Sequence, residues 1–339
     1  MARDGLIGGV YDIGVGVPDA GKALAFWQGC GYRAGAEGTL PAERAKALYG
    51  VDSNLHSIRL QHQNASAGLI RLMMWDKTIG PGLDMAPLRT HGCRWSVHRT
   101  DNIANAYVHG EMLRRQGKPI YLLGPQYNFN LGTKLTEKTP FVAPVAASGD
   151  VLLFQPHAQL VAMTRMNYAV PKYGTINPDC PLRLSEGCHM ALVIQGDDLS
   201  IFEFYGTVIG FKRHRQVDIA YAPGTMPSDM FGLHSGESFS EIDFDDPDAG
   251  DDPSEHLPGR LRVFLLRSPR PPDDRLARAQ PGNLGYSLYT ARIGDLPAMH
   301  RKVAASDATA VTPIMADEFG TPAFSFTAPD GFVWTLMQA

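Results

Sequence analysis

Seven polar residues interrupt stretches that otherwise read as apolar strands, and their types suit chemistry: Asp12, Arg94, His98, His189, Ser287, Tyr289 and, near the end of the chain, Thr335. His189 sits in an apolar run between Gly187 and Gly196. Alternation along a strand puts His189, Ala191 and Val193 on one face and Met190, Leu192 and Ile194 on the other. A neutral imidazole exchanges a proton readily at cellular pH, so His189 is the candidate general acid/base. Arg94, Ser96 and His98 share a face by the same argument, as do Ser287 and Tyr289. A guanidinium holds a carboxylate or phenolate through two parallel hydrogen bonds, which makes Arg94, with Tyr289, the candidate for orienting an oxyanion. Arg94 serves equally well as the partner of Asp12, because a buried charge needs one. His98, Ser287, Thr335 and Asp12 are the expected substrate contacts.

The elements that must position these residues recur. After the His189 strand, Asp197 and Asp198 supply an N-cap, apolar residues follow at helical spacing, and Gly210 closes the helix. The same phrase runs from Asp12 through Trp27 to Tyr32, from Arg94 through Asp101 to Gly117, and from Ser287 through Asp295 to Ala305. Its starts lie about 80 to 100 residues apart, too far for a solenoid, so each copy is expected to be a small sheet-and-helix module. Each copy ends in a short apolar strand, at residues 69–75, 150–154, 261–266 and 332–337. The modules therefore span about 8–76, 90–157, 186–267 and 282–338, with residues 158–186 as an extended, proline-bearing connector.

With this fourfold order, the chain resembles the vicinal oxygen chelate (VOC) superfamily, which includes glyoxalase I, bleomycin-resistance proteins, fosfomycin-resistance enzymes and type I extradiol dioxygenases. The likeness is carried by Phe204-Tyr205 through Ile209-Gly210-Phe211, by Phe26-Trp27 through Gly31-Tyr32, and by Pro329-Asp330-Gly331. It implies an α+β fold of four βαβββ modules, paired into two glyoxalase-like domains whose sheets curl around cavities. Pairing in chain order gives an N-terminal domain over 1–165 and a C-terminal domain over 180–339, with His189 facing Ser287 and Tyr289. Pairing second with third instead lets Arg94 and His189 share a cavity.

The resemblance also implies a divalent metal, held by His, Gln or Glu from the first and last strands of paired modules. About three such side chains must converge to hold zinc, iron or manganese. The matching first-strand positions carry Asp12, Arg94, His189 and Ser287, and the last-strand positions carry Leu72, Leu153, Val263 and Thr335. Where extradiol dioxygenases place two His and one Glu, this chain has His189, Ser287 and Thr335. No metal ligands are assigned and no cofactor is expected; a divalent cation, if bound, belongs near His189. The expected function is a metal-independent isomerase, lyase or hydrolase acting by general acid/base on a small aromatic or keto-acid compound. The alternatives are a non-catalytic, resistance-type ligand-binding protein and a metal-dependent extradiol dioxygenase-like enzyme.

Composition fits a globular protein and excludes several partners. The 339 residues carry 44% hydrophobic content and a formal net charge of -4. Lys and Arg are dispersed, with no basic stripe interleaved with aromatics, so no nucleic-acid partner is expected. No run approaches membrane-spanning length and the opening residues lack a secretory pattern, so no membrane partner and a cytoplasmic location are expected. The remaining partner expectations are a small-molecule substrate and a homodimer. Cys30, Cys93, Cys180 and Cys188 lack both metal spacing and disulfide density, and read as reduced, packed thiols. The acidic run at 240–255 reads as a solvated loop, and His56 and His62, six residues apart, as surface or rim groups.

Overall fold

The computed structural model describes residues 4–129 and 144–339. Within them the chain folds as four modules. The first holds β1 (Leu6–Gly16), α1 (Ala20–Gly29), β2 (Arg33–Leu40), α2 (Ala42–Tyr49), β3 (Leu55–Gln61) and β4 (Leu69–Trp75). The second holds β5 (Arg94–Thr100), α3 (Ile103–Arg115), β6 (Tyr121–Asn128), β7 (Ala147–Gln155) and β8 (Ala158–Met166). The third holds β9 (Leu184–Gln195), β10 (Lys212–Ala220), α4 (Met226–Phe231), β11 (Ser238–Asp245) and β12 (Arg260–Arg267). The fourth holds β13 (Gly285–Ile293), α5 (Leu296–Ala304), β14 (Met315–Ala316), β15 (Pro322–Thr327) and β16 (Val333–Gln338).

Local sequence explains most of these elements. Asp19, Asn102 and Asp295 cap α1, α3 and α5, each accepting a hydrogen bond from a first-turn N–H, which satisfies one of the donors a helix start leaves free. The third module departs from its expected helix: Asp198 caps Ser200 N–H, but the chain forms a short 3-10 turn and then a wide turn over Tyr205–Ile209. Thr207 donates its hydroxyl back to Glu203 O, and Tyr205 is pulled toward Asp330 by a 2.6 Å bond from its hydroxyl, both of which compete with regular helix geometry. The expected connector is also shorter than read. Residues 158–166 are β8, the last strand of the second module, so 150–154 belongs to its third strand.

The strand order divides the chain differently from 1–165 and 180–339. β1 runs antiparallel to β13, Asp12 opposite Thr290, and joins the first and fourth modules in the order β14-β15-β16-β13-β1-β4-β3-β2. β5 runs antiparallel to β9, Val97 opposite His189, and joins the second and third in the order β10-β11-β12-β9-β5-β8-β7-β6. The inner modules thus pair with each other, and the outer two pair in a sheet of their own. Each sheet curls until its ends approach, with α2 reaching across to β15 and α4 across to β6. The two sheets meet backbone to backbone where Val10 N–H donates to Gly259 O at 2.7 Å. A Cβ on neighbouring Gly9 would lie 2.3 Å from that oxygen, so only glycine permits the approach. Between the sheets lies the main core, which includes Trp27, Tyr32, Tyr286 and Tyr289; a separate apolar cluster of Leu48, Leu55, Met73, Trp75 and Leu288 fills one end of the first half-barrel.

Candidate active site

Strand register decides which candidates meet. Arg94 is opposite Leu192 and Ser96 opposite Met190, whereas Val97 is opposite His189. Neighbours across a ladder share a face, so Arg94 and His189 lie on opposite faces although their modules pair. Arg94 points between the sheets, fully buried, with its guanidinium carbon 4.7 Å from the Tyr289 ring centre and 4.6 Å from that of Phe332. It donates to Val333 O at 3.2 Å, while Nε and Nη1 have no partner, and it does not reach Asp12. Tyr289 is equally buried and donates to Ala191 O at 2.8 Å. His98 donates from Nδ1 to Ser185 O at 3.0 Å, its Nε2 lies 2.8 Å from Ser96 Oγ, and burial pushes its pKa down to about 4. Ser287, at a bulge in β13, lies 3.4 Å from Gly14 O. Arg94, Tyr289 and His98 are therefore packing and hydrogen-bonding groups of the core between the sheets.

His189 does face a half-barrel interior, the second. In register beside it on that face are Val97, Val161 and Arg260, and one step along are Ala191, Arg262 and Asp243. The acidic run expected to be a solvated loop begins here as β11. Glu241, Asp243 and Asp245 alternate into the interior and meet Arg215, Arg260 and Arg262 from the flanking strands. Asp243 accepts from Arg215 Nε at 2.7 Å, Arg262 Nε at 2.6 Å and Arg260 Nη1 at 3.1 Å. Burial alone would raise its carboxyl, but Arg262 and Arg260 hold it well below the usual carboxylate range. His189 Nδ1 lies 2.9 Å from the Tyr173 hydroxyl, supplied by the segment after β8. Burial, aided by Arg262 and Arg260, keeps the imidazole neutral by moving its pKa far below the ordinary value.

Asp150, on β7, completes this interior; it is beside Met163 in the β7–β8 ladder, on the face that carries Val161 and Val97. Burial pushes its carboxyl up to about 7, against the opposing pull of Arg262 and with added repulsion from Glu241. Its Oδ1 has no hydrogen-bond partner. The other end of the half-barrel is aromatic: Trp95, Phe231 from α4, Phe239 and Phe264 pack with ring centres 4.4 to 5.9 Å apart. Asp150, Tyr173, Arg260 and Arg262 were not among the expected site residues. The period-two charge pattern of Glu241, Asp243 and Asp245 against Arg260 and Arg262 was the available signal.

The first half-barrel is tied shut by ion pairs. Asp12 lies 2.9 Å from Arg59 Nε and 3.2 Å from Arg71 Nη2, and Arg71 reaches Glu318 at 3.1 Å and Thr290 Oγ1 at 2.5 Å. Burial alone would raise the Asp12 carboxyl, yet Arg71 and Arg59 keep it below the usual value. Thr335 shares this face beside Thr290 and bonds Ser325 Oγ at 2.8 Å. His62, expected as a surface or rim group, is fully buried against Leu184 O at 3.1 Å. Two clefts lie outside both interiors: one of about 430 Å³ at Leu276 and Gly331, and one of about 330 Å³ between α1 and the β7–β8 turn, lined by Phe26, Trp27 and His157.

No protein-family model matches the chain, and no curated protein matches it. Solved structures do. The chain superposes on a variant of glyoxalase I from Zea mays with a TM-score of 0.52 at 13% identity, covering 97% of this chain and 93% of that one. It also superposes on a Bacillus subtilis protein, provisionally named a dioxygenase, with a TM-score of 0.55 at 11% identity, covering 98% and 86%. This is the vicinal oxygen chelate fold. The paired VOC modules and their two curled sheets agree with the expected fold class, and at such identities the agreement concerns fold alone.

The VOC fold implies a metal between paired modules, and the side chains present do not suit one there. Thr335 was placed on the correct face, but Leu72 and Val263 are one residue out of register and point away from the interiors, and Leu153 lies on a third strand. A slip of one residue exchanges the faces of a strand. The interior positions hold Asp12, Thr290, Arg71 and Thr335 in one half-barrel and Val97, His189, Val161 and Arg260 in the other. Each set offers at most one strong metal donor beside a guanidinium, which already supplies positive charge and repels a cation.

Proposed function

We propose that the second half-barrel binds a small aromatic or keto-acid anion and moves a proton on it without a metal in the fold's usual place. The observation carrying this reading is Asp150, a carboxyl brought to about 7 in the same interior as Arg262 and the neutral His189. A group titrating near working pH is present in both forms and suits general acid/base work. In this reading the aromatic end formed by Trp95, Phe231, Phe239 and Phe264 receives the apolar part of the ligand. Arg262 attracts its carboxylate or enolate oxygen. With the Tyr173 hydroxyl donating to Nδ1, the His189 proton resides on Nε2 and is available to the ligand. Asp150 takes a proton from a carbon next to the carbonyl and returns it to the same or a neighbouring carbon, a balanced isomerisation.

The aromatic lining also favours a second reading, sequestration without chemistry, and Asp150 separates the two. A panel of aromatic carboxylates and 2-keto acids is screened by thermal shift, and the ligands found are followed by NMR in D2O for exchange of carbon-bound hydrogen. Asp150→Asn is expected to bind ligand but lose exchange, and Arg262→Gln to lose binding. Binding with no exchange in the parent protein would establish the sequestering reading, and exchange surviving Asp150→Asn would refute the proton-transfer role.

A further inference from the structure

The donors missing between the paired strands gather at another place in the second half-barrel. His214 lies at an irregularity in β10, Asp245 ends β11, and His256 sits in the loop before β12. One ligand atom from each lies within 4.8 Å of the other two. His214 Nδ1 is 3.7 Å from Asp245 Oδ2, and the two imidazole rings are edge to face with centres 4.8 Å apart. His256 Nε2 is buried with no hydrogen-bond partner, while its Nδ1 is 3.3 Å from Arg260 Nη2. Arg260 also donates to both Asp245 oxygens, through Nε to Oδ1 and through Nη2 to Oδ2 at 2.9 Å. These bonds orient the carboxylate and leave each oxygen a lone pair, as outer partners of metal ligands commonly do.

We propose that His214, Asp245 and His256 form a binding site for a divalent transition metal of the zinc class. Two imidazoles and one carboxylate are a donor set that zinc and cobalt accept, with the fourth position open to water. Bonds of about 2.0 to 2.2 Å place tetrahedral ligands about 3.4 Å apart, so the three side chains close on the ion by about 1 Å. Both histidines are partly exposed. The site uses a second strand, a third strand and a loop, none of them the first or last strand of a module. It stands one aromatic ring from His189: the Tyr173 ring centre is 6.3 Å from His256 and 6.2 Å from His189. Arg260 opposes the ion's charge, whereas Asp243 and Asp251, which sit close to this cluster, favour it.

The test titrates the full-length, chelator-treated chain with Co2+, read by visible absorption, and with Zn2+, read by calorimetry. One equivalent is expected to bind, with His214→Ala and His256→Ala each weakening it at least about tenfold and His189→Ala leaving it unchanged. Circular dichroism checks that each variant is folded; an incompletely folded variant is replaced by His214→Gln or His256→Gln, with the same weakening expected. Absence of saturable binding, binding indifferent to both substitutions, or binding lost in His189→Ala but kept in the other two would overturn the proposal.

Discussion

Asp243 is the keystone of the charged interior, and replacing it gives the sharpest physical test of that interior. Asp243→Asn keeps the side-chain shape but removes the negative charge on which Arg215, Arg260 and Arg262 converge. Those guanidiniums would then face an amide whose NH2 group cannot accept their hydrogen bonds. Breaking one side of a buried ion pair costs about 3 to 5 kcal/mol, because the surviving charge is left without compensation. An unfolding entropy of about 2.1 cal/mol/K per residue gives about 0.7 kcal/mol/K for a chain of this length, so the melting temperature should fall by about 4 to 7 °C. Differential scanning calorimetry at neutral pH measures it. Adding Arg262→Met removes one of the stranded charges, so the double variant should lose less than the sum of the two single losses. A melting temperature within about 1 °C of the parent for Asp243→Asn would refute the claim that this network holds the half-barrel together.

Three further outcomes are expected of the buried charges and histidines. Arg94→Met should be neutral or stabilising, because Nε and Nη1 lack partners and the site between Tyr289 and Phe332 is apolar; a loss above about 2 kcal/mol in urea unfolding would contradict this. His62 and His98, each with a pKa of about 4 in the fold, stay neutral while the unfolded chain protonates below about 6.5. The unfolded state then binds more protons, so stability should fall as pH drops from 6.5 toward 4, by up to about 3 kcal/mol per histidine; a flat urea profile would count against it. Asp150 has the opposite sign: its raised pKa makes the fold hold more protons between about 4 and 7, so it favours the fold as pH falls. Asp150→Asn should therefore steepen the acid loss, and an unchanged slope would show that the carboxyl titrates normally.

The fourfold repeat was legible because helix caps and strand alternation are local. Asp19, Asn102 and Asp295 act on the N–H groups of the turn they begin, whatever packs around them. The face of His189 was legible for the same reason. Module pairing was not, since it is set by ladders such as the one that puts Asp12 opposite Thr290, more than two hundred residues apart. The acidic run shows the limit most clearly: Glu241, Asp243 and Asp245 look like a solvated loop until β10 and β12 bring three arginines to them.

By itself, then, the sequence determined the fourfold order of sheet-forming modules, because caps and strand alternation are written in short-range order. Only the tertiary structure decided that Arg94 and His189 turn to opposite faces, that the outer modules pair in a sheet of their own, and that burial raises the Asp150 carboxyl to about 7. Those outcomes depend on ladder register and on burial among distant charges, and a one-residue shift in register reverses what a strand presents.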